Sequence, residues 1–422
     1  MNLVSKMKKC SKILHFYLIF PNIFNFKGGI QVYSAFLLQA LQNLYPEAQY
    51  DIFLKYDKSS QPNAQFLPQT QFHCFGKFSR FLQNILLTLK IIVMGIWQRP
   101  TLVITTHINY SIPCYWLKQI TGIPYWIVAH GNEVWNLKHP LRQKALRHAN
   151  KIIAVSHYTR DRLLDEQNLN PAQISILPNT FDSQRFQIAP KPPHLLKKYQ
   201  LSPQQSIILT VSRLGKTAAF DKGYLQIIQA LPQIRCQIPE VHYILVGKGD
   251  AQPQIEALVH QLGLEDCVTL AGFVPDNELC NYYNLCDVFA LPSSIEGFGI
   301  VYLEALACGK PVLAGNQDGA VEPLENGKLG CLVKPQNVNA VAQNLISILQ
   351  GSYLNPVIYQ PGQLRQKTIE KFEFSQFQKT LAYLIEKSLY SRFQYKFSSL
   401  KKTVPSTGSL KNNRTLMGLE FH

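Results

Sequence analysis

Short runs of β-branched and aliphatic residues recur along the chain, separated by stretches whose apolar positions follow a helical spacing. In the first half these runs fall at 13–19, 50–54, 101–105, 125–129, 151–155 and 174–177. A gap holding Pro190, Pro192 and Pro193 follows. A second series then falls at 206–211, 242–246, 268–270, 288–291, 311–314 and 330–333. Strands alternating with helices predict parallel sheets joined by crossover helices. Two such series across a proline-rich linker predict an α/β protein of two doubly wound, Rossmann-like domains facing across a cleft. The expected division is 1–190, 191–374, a terminal helix over 375–392 that crosses back to the first domain, and a basic, disordered tail over 393–422. Ligands in such sheets bind beyond the carboxyl ends of the strands, so the cleft is the expected site.

Two apolar windows need separate treatment. Lys6, Lys8, Lys9 and Lys12 precede an apolar run, as in a signal peptide. Pro21 follows it and no small-residue cleavage site appears, so a first strand is expected there. Residues 81–97 form the most apolar window but carry Lys90 in the middle. A core helix is one reading, and a helix lying in a membrane surface is the other.

Composition sharpens this picture through charge. The 422 residues carry a net charge of +16, and the excess is segregated. Residues 1–190 hold 20 Lys+Arg against 8 Asp+Glu, residues 191–386 hold 15 against 17, and residues 387–422 hold 7 against 1. Such asymmetry suits a polyanion: nucleic acid, anionic lipid or a polyanionic substrate. No nucleic-acid recognition motif accompanies it, so nucleic acid is the reading least supported. Nine cysteines, from Cys10 to Cys331, show no C-x-x-C pair. They read as reduced thiols, mostly small buried apolar residues, in a cytoplasmic protein.

The chemistry gathers after the strands. Glu296-Gly297-Phe298-Gly299-Ile300 leads from a strand into a helix that carries Glu304. Free N–H groups at such a helix start suit an anion or sugar hydroxyls, and the glycines permit close approach. Glu304, inside the helix, is suited to accept both hydroxyls of a ribose. Arg213, and Lys222 before Gly223, follow another strand and are suited to grip a diphosphate; Lys216 competes for the second place. Gly247-Lys248-Gly249 reads as a tight strand-to-helix turn beside a nucleotide, without the third glycine of a dinucleotide fingerprint. In the first half, Gly28-Gly29 opens a helix, and His130-Gly131 ends a strand with Glu133 just beyond. Ser156, Thr159 and Arg160 read as a helix cap with a cleft-facing arginine.

Together these residues carry a resemblance. Gly28-Gly29, His130-Gly131, Ser156, Pro178-Asn179, Val211-Ser212-Arg213-Leu214, Lys222-Gly223 and Gly247-Lys248-Gly249 are part of it. The densest stretch runs from Gly272-Phe273-Val274 through Tyr283 and Cys286-Asp287-Val288-Phe289 to Pro292-Ser293. Glu296, Glu304, Gly309-Lys310-Pro311-Val312, Gly319 and Glu322 complete it. The chain resembles the retaining glycosyltransferases of family 4, or group 1, of GT-B fold, over about residues 10–390. Two departures stand out. Arg213 and Lys222 are farther apart than the family's usual spacing, and Thr180-Phe181-Asp182 stands where Gly-Val-Asp is usual.

The resemblance implies an acceptor-side first domain and a donor-binding second one. It implies transfer of a hexosyl unit from a nucleotide-diphospho-sugar, such as a UDP- or GDP-hexose, with retention at the anomeric carbon. The acceptor would be a glycan or lipid-linked molecule, in cell-surface polysaccharide or glycolipid synthesis. No metal, cofactor or protein nucleophile is implied. Arg213 and Lys222 would carry the diphosphate and Glu304 the ribose. Glu296 with the backbone of Gly297, Phe298, Gly299 and Ile300 would place the donor sugar. His130 would contact that sugar, Gly28 and Gly29 would border the phosphates or the acceptor, and Gly247 and Gly249 would flank the nucleotide. An enzyme held peripherally at the inner face of the plasma membrane by its positive charge fits the same picture. The alternatives are a GT-B phosphorylase, a sugar-nucleotide epimerase, or a silent nucleotide-sugar-binding scaffold. Product analysis separates the first two, and binding without turnover would mark the third.

Overall fold

The computed structural model of the chain describes residues 14–24, 28–60, 65–216 and 221–402, with side chains described to residue 390. Lys6 to Lys12 and residues 403–422 therefore lie outside the described residues. The first half contains β1 (His15–Phe20), α1 (Gly29–Leu44), β2 (Gln49–Leu54), β3 (Gln71–Cys74), α2 (Arg80–Gln98), β4 (Leu102–Thr105) and α3 (Ser111–Thr121). It continues with β5 (Tyr125–Ala129), α4 (Pro140–His148), β6 (Lys151–Ala154), α5 (His157–Gln167) and β7 (Ile174–Ile176). The second half contains α6 (Pro193–Tyr199), β8 (Ile207–Val211), α7 (Tyr224–Gln237), β9 (His242–Val246), α8 (Gln252–Gln261), β10 (Val268–Gly272) and α9 (Asp276–Leu285). There follow β11 (Val288–Leu291), α10 (Ile300–Ala307), β12 (Val312–Gly315), β13 (Cys331–Val333), α11 (Val338–Leu349), α12 (Pro361–Phe372) and α13 (Phe374–Lys402).

The strands form two sheets, ordered β3-β2-β1-β4-β5-β6-β7 and β10-β9-β8-β11-β12-β13, with every pairing parallel. Both are doubly wound, because the order reverses at β1 and at β8. The central strands are buried along their whole length, as continuous apolar runs in a sheet covered on both faces must be. Every strand expected from the sequence is present. The sequence reading lacked β3, whose residues Gln71-Phe72-His73-Cys74 carry no apolar run. It forms by pairing along the edge of β2, from Asp51 with Gln71 to Leu54 with Cys74.

Helix α2 departs from the core-helix reading of residues 81–97. Its buried residues are Gln83, Leu87, Ile91 and Gly95, one narrow stripe at intervals of one turn. Gly95 lets α3 approach closely, since a Cβ there would stand 2.6 Å from the Leu117 side chain. Leu86 and Met94 flank the stripe half-buried against the core, and much of the remaining apolar surface faces outward: Phe81 is 74% exposed, Trp97 is 84% exposed, and Leu82, Ile85, Leu89, Val93 and Ile96 join them.

Helix α13 starts one residue before the expected boundary and runs to Lys402, so 393–402, read as the start of a disordered tail, is helical. By compactness the chain divides into 1–380 and 381–422. Within the first unit, the start of α13 packs on α1, with Phe374 5.5 Å from Phe36 and Phe377 5.5 Å from Tyr33 between ring centres. Phe181 bridges to Glu373, and the Thr180 hydroxyl donates to the Phe372 carbonyl at 2.9 Å. The unusual Thr180-Phe181-Asp182 segment thus ties the crossover between the sheets to the chain's return.

Candidate active site

The site is assembled where strands of both sheets end. After β5, His130 turns into the cleft, and its backbone N–H donates to the Glu133 carboxylate at 2.5 Å. The imidazole meets the Tyr33 ring edge-on at 4.9 Å. Its Nε2 is buried without a protein partner. Burial, aided by His107 nearby, pushes the imidazole down to about 3, so it is neutral near pH 7. Tyr33 lies one turn into α1, which brings the start of that helix beside His130. Gly28 is the N-cap of α1 and supplies no side-chain cap, and a Cβ on Gly29 would meet nothing within 4 Å. Among the described residues, the helix start therefore has room beside Gly29 for an oxygen-rich ligand.

Opposite, the chain leaves β11 through Pro292 and Ser293 and enters α10 at Ile300, with Gly299 as N-cap at φ 88°. That left-handed conformation favours glycine. Gly297 is tighter still: a Cβ would lie 1.6 Å from the His130 carbonyl oxygen. The Ser156 hydroxyl, cap of α5, donates to the Gly297 carbonyl at 2.5 Å. Glu322 accepts from the His157 backbone N–H at 2.7 Å. The two sheets thus meet through Gly297. Arg160 ion-pairs with the adjacent Asp161 at 2.7 Å.

Glu296 forms an ion pair with Lys222, the residue before Gly223 at the start of α7. The Glu296 backbone N–H donates to Asp318 at 2.7 Å, and Asp318 also accepts from Ala320 N–H at 2.9 Å. Asp318 is buried, and burial with the nearby Glu296 charge pushes its carboxyl up to about 7. Sequence reasoning missed this residue; its available signal was an aspartate directly before Gly319. Lys222, Glu296, Gly297 and His130 are thus brought together. The Lys216 backbone N–H instead donates to Asp250 at 2.8 Å.

Arg213 is exposed on the loop after β8. Gly247 and Gly249 explain its placement. A Cβ at Gly247 would stand 1.8 Å from the Ser212 carbonyl, and one at Gly249 1.9 Å from the Leu214 carbonyl. Leu214 N–H donates to the Lys248 carbonyl at 3.1 Å. Both glycines therefore face the Arg213 loop itself. Phe298 is likewise turned inward, its ring 5.6 Å from Phe372, so only its backbone can serve a ligand; Ile300 is buried too.

Glu304 is buried on α10. It accepts from the Tyr283 hydroxyl at 2.7 Å and lies 3.8 Å from Arg185. Burial pushes its carboxyl up to about 7, against the opposing pull of Tyr283 and Arg185. Arg185 was also missed. Asp182 orders it by accepting its backbone N–H at 3.0 Å, and its guanidinium stacks on Phe186. Beside Arg185 opens a cavity of about 620 Å³, lined by Gln31, Phe36, Gln39, Phe66, Arg185 and Gln378 among others. Amides and aromatic rings are groups that bind and stack on sugars. Among the described residues no cluster of three or more His, Cys, Asp or Glu stands ready for a metal ion.

Comparison with known proteins bears on the family and the fold. Residues 27–185 match the model of Glycosyltransferase Family 4, and residues 193–370 match that of Glycosyl transferases group 1. A GDP-mannose-dependent alpha-(1-6)-phosphatidylinositol monomannoside mannosyltransferase of Mycobacterium tuberculosis is 34% identical over 234 residues, 52% of this chain and 59% of that protein. A 2-deoxystreptamine glucosyltransferase of Streptomyces kanamyceticus is 27% identical, covering 55% of this chain and 62% of its own length. The chain thus spans about three fifths of these relatives. Among solved structures, sucrose-phosphate synthase of Thermosynechococcus elongatus superposes with a TM-score of 0.76 at 21% identity, over 90% of this chain and 100% of that one. Alr3699/HepE of Anabaena, in complex with UDP, gives 0.72 at 19% identity, over 89% and 100%. The fold is therefore GT-B. With the two family models matching its two halves in order, the chain belongs to the group 1 glycosyltransferases of family 4.

Proposed function

We propose that this chain transfers a hexosyl unit from a nucleotide-diphospho-sugar to a glycan or lipid-linked acceptor, with retention and without a metal ion. The observation that carries this reading is the meeting of Lys222, Glu296, Gly297 and His130 at one point of the cleft. Departure of a nucleoside diphosphate builds negative charge. Preorganised cations and helix N–H groups lower the barrier to that departure most. Arg213 and Lys222 supply the cations, and the ion pair with Glu296 holds Lys222 in place. Glu304 accepts the ribose hydroxyls, with Tyr283 and Arg185 orienting it. The residues 297–300 backbone and Glu296 position the sugar. A neutral His130 offers its buried Nε2 to a sugar hydroxyl as a hydrogen-bonding group without adding charge. Gly247 and Gly249 act through the Arg213 loop. The open start of α1 and the cavity beside Arg185 are suited to the acceptor, whose approach supplies the proximity contribution.

The membrane belongs to the same proposal. The outward face of α2 is apolar, with Phe81 and Trp97 near its ends and Lys77, Arg80, Lys90 and Arg99 exposed around it. Trp116 and Ile120 of α3 continue it. This is the make-up of a helix lying in the plane of an anionic interface, where each cation contributes about 1 kcal/mol. Its buried stripe keeps it in the helix layer of the sheet. A lipid-linked acceptor at the inner face of a plasma membrane suits such a surface. The mannosyltransferase named above, a phosphatidylinositol monomannoside enzyme, lends support to the lipid-linked choice.

The test is binding of UDP-, GDP- and ADP-hexoses by thermal shift and calorimetry in the presence of a chelator, followed by product analysis with candidate acceptors. One nucleotide should stabilise the protein. Arg213→Ala should weaken it roughly 10- to 100-fold, the loss of a hydrogen-bonded charge. The product should keep the donor's anomeric configuration by NMR. No response to any nucleotide sugar, or inversion, would overturn the reading.

A further inference from the structure

The sulfur atoms of Cys280 and Cys308 lie 3.9 Å apart. Cys280 sits half-buried in the middle of α9, and Cys308 is the buried C-cap of α10. That separation is about 2 Å beyond a disulfide bond, within reach of side-chain rotation and a small helix adjustment. The surroundings distinguish the two thiols. The Asn284 side-chain amide donates to the Cys280 sulfur at 3.4 Å. The Cys308 thiol, and then the Gln187 backbone, the Arg185 charge and Asn284, hold the Cys280 thiol down at about 6 against the effect of burial. The Cys280 contact and burial push Cys308 well up. Cys280, half-buried and donating its thiol to the Gln187 carbonyl at 3.8 Å, is the accessible sulfur and Cys308 the protected partner behind it, the arrangement of an attacking and a resolving thiol.

The helices that carry them also carry the pair at the ribose end of the cleft. Tyr283 follows Cys280 by three residues on α9, and its hydroxyl bonds Glu304 on α10. The Cys308 backbone N–H donates to the Glu304 carbonyl at 3.1 Å. A bond between the two sulfurs would close a ring around the Tyr283–Glu304 contact.

We propose that Cys280 and Cys308 form a reversible disulfide in response to a hydroperoxide, and that this bond weakens nucleotide binding by displacing the end of α10 that carries Glu304. The Cys280 thiolate attacks the O–O bond, forming a sulfenic acid and releasing one oxygen as water after protonation. The Cys308 sulfur then attacks that sulfenic sulfur and expels a second water. Two thiols and one hydrogen peroxide become one disulfide and two waters, and a dithiol reductant reverses it. The effect on nucleotide rests on the role given to Glu304 above; the bond itself does not.

The test uses the reduced full-length protein and hydrogen peroxide at equimolar concentration, quenched with iodoacetamide. Peptide mapping should recover a Cys280–Cys308 link, about 2 Da lighter than the two free thiols, that dithiothreitol removes. Cys280→Ser should abolish the link and leave Cys308 alkylatable under denaturing conditions. Recovery of Cys280 as sulfinic acid with Cys308 free, or loss of free Cys308 in Cys280→Ser, would overturn the proposal. The oxidised protein should then lose at least half of its thermal shift with nucleotide, while peroxide-treated Cys280→Ser keeps its own. A link formed with the shift unchanged would refute the coupling and leave the nucleotide site standing.

Discussion

At the scale of single residues, Glu304 makes the sharpest prediction. Its carboxyl is held near 7 in the folded protein against an ordinary 4.5, because it is buried. A raised acid stabilises the fold most below 4.5, and that stability is lost as pH rises through 7. On the ribose-binding role proposed for Glu304, ligand binding would run the other way, since ribose hydroxyls donate best to the ionised form. Affinity for a nucleotide sugar should therefore rise with pH and level off above about 7, falling up to tenfold per unit below it. Glu304→Gln should bind more weakly and lose the pH dependence by calorimetry; a wild-type profile in the variant would contradict the assignment. The sequence announced Glu304 and Glu296 through their spacing around glycines. It did not announce Arg185 or Asp318, which act through tertiary neighbours, nor that Gly247 and Gly249 face the Arg213 loop. Those facts depend on which backbone lies opposite, and no local pattern encodes that.

At the scale of elements, strands were legible and surfaces were not. Buried parallel strands must be continuous apolar runs, so their positions stood out. Edge strand β3 did not, because its pairing rests on backbone bonds and its side chains are half polar. Helix α2 showed its length in the sequence but hid which face is buried: the stripe at Gln83, Leu87, Ile91 and Gly95 begins with a polar residue and ends with none. Replacing Phe81 and Trp97 together by Ser should reduce co-sedimentation with vesicles rich in anionic lipid by at least tenfold. Both side chains are exposed, so the nucleotide thermal shift and melting temperature should hold within a few degrees. Undiminished co-sedimentation would remove α2 from the membrane reading.

At the scale of the whole molecule, the charge excess lies in residues 1–190 and at the end of the chain, while residues 191–386 are close to neutral. On the proposed function, diphosphate binding would depend on placed cations and not on the bulk field. Raising salt from low to physiological strength shrinks the Debye length to about 8 Å. Vesicle binding should fall with that change, and nucleotide affinity, which on the proposed function rests on two cations, one of them the largely covered Lys222, should fall far less. Equal salt sensitivity in the two assays would refute the separation. The two halves also meet where Gly297 lies against the His130 carbonyl. Gly297→Ala should force them apart there and reduce transfer by at least about 100-fold, through lost alignment of the reactants. Nucleoside diphosphate should still raise the melting temperature, because Arg213 and Glu304 are untouched.

That contact also sets how the site tolerates inherited change. Any missense substitution at a glycine codon adds a β-carbon, and at position 297 there is no room for one. Position 297 therefore offers no intermediate step. A lineage altering its sugar preference must therefore work through the side chains that ring this point, with the junction itself held fixed.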